Sequence, residues 1–202
     1  MSKLKIKLTS IACLLMTFVT FSQEKYNSYD NLYSDNEYDI QISAKDSTKY
    51  TLYIDMMSLD NLSESGGIMI DEKNHERFTT TLFEAKVKYE EWVKTANENN
   101  VTEIDKTMSL KTKVSGYFLY GSKWNFQFTI NLTFDFKIIN GKNLLIVRTG
   151  KMTSSSNQFM THDGLVFVFS NTEEITDFLD LISKDKITEF INKPKATDLF
   201  KD

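Results

Sequence analysis

The sequence predicts an α+β domain, with a mostly antiparallel sheet of six or seven strands and two helices packed on one face. Three observations lead there. Residues 124–138, WNFQFTINLTFDFKI, carry a large apolar side chain at every even position and a polar one at every odd position, the period of a strand with one buried face. Phe78, Leu82, Ala85, Tyr89, Trp92, Val93 and Ala96 recur at helical spacing and form one stripe. Asn140-Gly141 separates two apolar runs, the strongest short hairpin signal.

The N-terminus reads as an address. Lys3, Lys5 and Lys7 precede an apolar run from Leu8 to Phe21, and small Ser22 follows. That is a secretory signal peptide over 1–22, with cleavage after Ser22. The run is shorter than the ~20 residues a membrane-crossing helix needs. Cys13 lies inside the run, which continues through Leu14, Leu15 and Met16, so it does not hold the place of a lipid attachment site. The expected product is exported, periplasmic or extracellular, with no transmembrane segment after signal removal. Cys13 is the chain's one cysteine, so the mature chain can form no disulfide and use no thiol. The formal net charge is −4, and the leader removes only cations. Nucleic-acid binding, which needs a dominant basic surface, is therefore not expected.

The remaining elements follow in order. Residues 23–37 are polar and read as a flexible leader. YDIQISA (38–44) and YTLYIDM (50–56) alternate on either side of a turn and predict a hairpin. SESGG (63–67) reads as a loop and 67–70 as a short strand. The helical stripe spans 74–100 and stops in an Asn-rich end. Strands are expected near 108–120, 124–139, 142–152 and 164–170. The last, GLVFVFS, is continuously apolar, so it is expected to be central and covered in part on both faces. A closing helix starts near 172, with Asn171 as its cap and Glu174 completing a capping box. Residues 38–192 thus form one domain, followed by a tail over 193–202. Membrane barrels also alternate, but in strands of ~9–11 residues and sets of at least ~8. Six or seven strands interrupted by helices favour a soluble sheet.

Register gives the candidate site. A three-residue turn at Gly121-Ser122-Lys123 sets Val114 opposite Ile130, Phe118 opposite Phe126 and Tyr120 opposite Trp124, all on the core face. It leaves Gly116 opposite Phe128, where the missing side chain makes room for the ring. A two-residue turn at Asn140-Gly141 sets Leu145 opposite Phe136 and Val147 opposite Phe134. The uncovered face then gathers Lys111, Lys113 and Arg148 around Asn131, Thr133 and Asp135. A charged sheet face often does no more than solvate the sheet. Three cations in an acidic chain nevertheless make this group the candidate surface for a protein partner or an anionic ligand.

No other pattern carries chemistry. His75 and His162 are the two histidines; one starts a helix, the other sits in a turn, and both are expected to be solvated. Metal-ligand spacing, GxSxG, the P-loop and GxGxxG are not found in the sequence. No cofactor is implied. Asn61-Leu62-Ser63 and Asn131-Leu132-Thr133 match glycosylation sequons, the second in mid-strand. The reading is an exported, non-enzymatic binding domain that uses the open polar face of its sheet. Two alternatives stand beside it: a hydrolase with scattered catalytic groups, and a carrier of a lipid or small ligand with a pocket between sheet and helices.

Overall fold

The computed structural model describes residues 23–61 and 65–194. The expected signal peptide, residues 62–64 of the first loop and residues 195–202 of the tail lie outside the described residues.

The chain opens with β1 (Glu24–Asn31), β2 (Asn36–Asp46), β3 (Lys49–Asp55), β4 (Met57–Ser58) and β5 (Gly66–Asp71). Helix α1 (Glu72–Glu98) follows, then β6 (Ile104–Thr107), β7 (Thr112–Tyr120), β8 (Lys123–Ile139) and β9 (Lys142–Thr149). The short pair β10 (Met152–Thr153) and β11 (Thr161–His162) leads to β12 (Leu165–Phe169), α2 (Thr172–Leu181) and α3 (Lys184–Asn192). The class is α+β as expected, but the main sheet has ten strands, in the order β1-β2-β3-β5-β7-β8-β9-β12-β4 with β6 beside β8. β4 continues β3 after one residue, Met56, and pairs with β12. The sheet therefore curls until the end of β3 meets its far strand. Its inner face holds the core: Ile54, Ile68, Phe118, Leu132, Phe134 and Phe167 are fully buried beneath Phe78, Leu82 and Ala85 of α1. Among the described residues no helix is long and apolar enough to cross a membrane.

Several differences from the sequence reading have physical causes. Residues 24–31, expected to be loose, form edge strand β1. A bulge near Tyr26 breaks its alternation, so Tyr26 and Tyr29 both turn inward. Tyr26 meets Phe190 at 5.0 Å and Tyr29 meets Phe178 at 5.1 Å. The strand expected over 108–120 begins only at Thr112, as β7, and an unexpected strand, β6, lies end to end with it along one edge of β8. The closing helix breaks at Ser183, whose side chain caps α3 through the Lys186 N–H. Asn171 caps α2 as expected, accepting from the Glu174 N–H at 2.8 Å. β12 is buried on both faces. Leu165, Phe167 and Phe169 join the main core, while Val166 and Val168 join Leu144 in a small outer cluster.

Both histidines are buried rather than solvated. His75 Nε2 lies 2.8 Å from the Ile182 carbonyl and must donate to it, so Nδ1 accepts the Tyr50 hydroxyl at 2.8 Å. The neutral ring ties α1 to β3 and to the α2–α3 joint. Burial holds its pKa below the ordinary value. The native state therefore resists taking up a proton that the unfolded chain accepts near pH ~6.5, and stability is lost as pH falls from that value toward the lower native pKa. Urea midpoints measured from pH 7 to pH 5 should fall, and His75→Gln should flatten the decline.

The register of β7 with β8 carries the main correction. The turn has two residues, so Tyr120 pairs with Lys123, Leu119 with Trp124, Phe118 with Asn125 and Tyr117 with Phe126. Further along, Val114 pairs with Ile130 and Lys113 with Asn131, as the three-residue turn required. A bulge at Phe128-Thr129 reconciles the two halves. Beyond it, Ile130, Leu132, Phe134, Phe136 and Ile138 point inward. Before it, Asn125 is 5% exposed, while Trp124, Phe126 and Phe128 are 51%, 39% and 67% exposed. The space over Gly116, expected for the Phe128 ring, is taken by Met152 and Ile130. The next hairpin matches the expectation: Phe136 pairs with Leu145 and Phe134 with Val147, and Asn140 and Gly141 both take positive φ.

Thr129 is held at φ 67°, a left-handed conformation that is rare for a β-branched residue and costs on the order of 1–3 kcal/mol. Thr129→Gly should therefore be neutral or stabilising by up to ~1 kcal/mol in denaturant unfolding. A loss comparable to that of an ordinary strand glycine would contradict the bulge.

Candidate functional site

The two-residue turn and the bulge build a cleft on the outer face of the sheet. Asp55 pairs with Gly67, Gly67 with Tyr117, and Tyr117 with Phe126, making one row across β3, β5, β7 and β8. In that row Gly67 has no side chain to fill its place. The Tyr117 ring lies over it, where any added Cβ would press into the Tyr117 ring and hydroxyl and the Ile54 carbonyl oxygen. The ring can thus cross β5, and its hydroxyl donates to Asp55 Oδ1 at 2.5 Å. Tyr53 stands edge-on to Tyr117 at 5.9 Å, and Trp124 does so on the other side at 5.7 Å. Tyr38, Gln41 and Phe126 complete a cleft of about 520 Å³, within the range of small-molecule sites.

The electrostatics follow from this placement. Burial raises the Asp55 carboxyl above its usual range, the Tyr117 hydrogen bond pulls it down, and the charge of Asp39 adds to the rise. The Tyr117 hydroxyl is pushed far above the ordinary tyrosine value, first by burial and then by the Asp55 charge. It therefore stays protonated and donates. Asp39 is itself paired with Lys25 at 2.6 Å near the surface. Asp55 has no ion pair among the described residues.

The six residues singled out from the sequence lie further along the same face. Lys113 stands opposite Asn131, and Thr133 opposite Arg148. Lys111 precedes β7 and lies outside its ladder. Asp135 is not uncovered: it is 1% exposed, because β6 closes over this edge and Thr107 Oγ1 donates to it at 2.5 Å. Arg148 Nε donates to the other oxygen of Asp135. Arg148 is exposed like Lys111 and Lys113, but its charge is committed to a buried carboxylate, which leaves Lys111 and Lys113 as the cations of the group without a salt bridge among the described residues.

The second histidine offers a further arrangement. His162 Nε2 lies 3.1 Å from Ser58 Oγ. Its Nδ1 accepts the Gly164 N–H at 3.1 Å, so the neutral ring carries its proton on Nε2, facing the serine. In that tautomer the ring donates to Ser58 and cannot take its proton, which is the reverse of a serine–histidine nucleophile. Between α1 and the α2–α3 joint, Thr79, Phe83, Leu179 and Ser183 line a groove of about 550 Å³. It opens among the helices, whereas the carrier alternative placed a pocket between helices and sheet.

Sequence reasoning missed the cleft because Trp124 and Phe126 were assigned to the core. One local signal was available, the Gly66-Gly67 pair, which had been read as a turn. No family model, curated protein or solved structure matches the chain.

Proposed function

We propose that this is an exported, non-enzymatic binding domain that takes its ligand on the outer face of the sheet, in the cleft around Asp55. The observation that carries this reading is the row Asp55–Gly67–Tyr117–Phe126 with Trp124 beside it. It combines exposed aromatic surface with a half-buried acceptor, the composition of small-ligand sites. Aromatic rings supply contact area at little cost in side-chain entropy. A single polar anchor then sets orientation. The tautomer of His162 argues against the hydrolase alternative, and the commitment of Arg148 to Asp135 argues for the aromatic end of the face over the cationic one.

Amide chemical-shift mapping tests the reading, using neutral oligosaccharides, organic cations, short peptides, fatty acids and polyanions in turn. At least one class should move the amides of Tyr53, Asp55, Gly67 and Tyr117, and Trp124→Ala should abolish those shifts without lowering the thermal midpoint. Shifts confined to Lys111, Lys113 and Arg148 would transfer the site to the cationic group. Shifts nowhere on this face would end the proposal. Export has its own test: intact mass of the protein recovered outside the cytoplasm should begin at Gln23.

A further inference from the structure

We infer that the cleft takes a small organic cation, a quaternary or protonated alkylammonium, with Asp55 as its counter-ion and Tyr53, Tyr117 and Trp124 as its aromatic walls. The inference rests on the binding reading above and deepens it.

The argument begins with the charge that Asp55 leaves uncompensated. Its side chain is half-buried on the floor of the cleft. Its hydrogen-bond partner, the Tyr117 hydroxyl, is neutral, and it has no ion pair among the described residues. A partly desolvated carboxylate is tolerated best when a cation pairs with it. An anionic ligand would meet Asp55 head-on, with Asp39 behind it. A neutral sugar would use the rings but leave the charge where it is.

The rings point to the same ligand. Tyr53, Tyr117 and Trp124 meet edge to face, with interplanar angles of 62° and 64°. Rings so tilted turn their electron-rich faces in different directions, an arrangement that lets them enclose a cation rather than stack in parallel on a flat ligand. A cation within ~6 Å of such faces is attracted by the ring quadrupoles, most strongly by tryptophan. Trp124 half-exposed at the rim and Tyr117 buried at the floor give the site an entrance and a base. The cleft is larger than a trimethylammonium group, so the cation is expected to carry a further body that lies along Phe126 toward Phe128.

Calorimetric titration of the folded protein decides the matter with four probes: benzyltrimethylammonium, choline, choline's neutral isostere 3,3-dimethylbutan-1-ol, and maltotriose. The two cations should bind, and the isostere should bind at least tenfold more weakly than choline. Asp55→Asn should weaken both cations at least tenfold and leave the isostere unchanged. The variant should unfold at no lower temperature at pH 7, since it removes a charge that burial disfavours. Should it fail to fold, Trp124→Ala tests the same site without altering the carboxylate and should weaken the cations by a similar factor. Equal binding of choline and its isostere, or full cation affinity in both variants, would overturn the inference. Binding of maltotriose in place of the cations would overturn it too, while leaving the binding domain intact. Failure of these probes together with the wider ligand classes would remove both readings.

Discussion

Replacing Gly67 with alanine is expected to destabilise the protein by about 3 kcal/mol, at the upper end of overpacking costs, and to abolish ligand binding in the cleft. A glycine-to-alanine change at an ordinary strand position stabilises by ~0.4–1 kcal/mol, because it restricts the unfolded chain. Here the new methyl group would press into the Ile54 carbonyl oxygen on one side and the Tyr117 hydroxyl on the other. The carbonyl belongs to the backbone of a paired strand and cannot step aside. Tyr117 could move, but only by giving up its hydrogen bond to Asp55 and its contacts with Tyr53 and Trp124. Urea unfolding gives the energy, and the cation titration gives the site. A neutral or stabilising substitution would mean that Tyr117 does not lie across β5.

The second large effect belongs to the aromatic cluster that joins α2 to the sheet. Phe178 meets Tyr29 at 5.1 Å, Phe167 at 5.3 Å and Phe169 at 5.7 Å. It is buried, and its partners come from edge strand β1 and from β12, next to last at the other side of the sheet. Phe178→Ala should cost about 3–5 kcal/mol through lost burial and the cavity left among three rings that cannot all close on it. The loss should also loosen β1, whose Tyr29 rests on the same ring. Hydrogen exchange at residues 24–31 should therefore accelerate more than exchange in β8. A loss below about 1.5 kcal/mol would mean that the site collapses freely or that the cluster is not formed.

The legible parts of the fold were those in which one local signal had one outcome. Asn140-Gly141 determined both turn length and register, and Phe134 and Phe136 meet Val147 and Leu145 accordingly. The stripe from Phe78 to Ala96 found α1, and Asn171 found the start of α2. The unbroken apolar run of β12 announced burial on both faces. The cleft was hidden for a physical reason: WNFQFTINLTFDFKI alternates without a break, yet a bulge at Phe128-Thr129 exchanges the two faces midway. An inserted residue leaves no gap in an alternating pattern, because every second side chain still points the same way on each side of it. The three-residue turn expected for the preceding hairpin gives the pairing beyond the bulge, and the two-residue turn gives the pairing before it. Asp135 misled in another way. Its alternation indicated the outer face correctly, but β6, which precedes the expected strand, closes over it and brings Thr107 to its carboxylate. Tyr26 and Tyr29 escaped notice because their three-residue spacing does not fit the two-residue period of a strand until a bulge at Tyr26 shifts the alternation.

The claim on which the cleft depends is that the first half of β8 turns Trp124, Phe126 and Phe128 outward. Cross-strand Hα–Hα nuclear Overhauser effects test it most directly, because facing residues at non-hydrogen-bonded positions of an antiparallel pair approach most closely. The two-residue turn predicts strong effects between Leu119 and Trp124 and between Tyr117 and Phe126, together with regular pairing of Val114 and Ile130 beyond the bulge. Strong effects between Tyr117 and Gln127 and between Leu119 and Asn125, with Phe118 opposite Phe126, would mean a continuous register without a bulge. The aromatic rings would then belong to the core, and the outer face would hold no cleft.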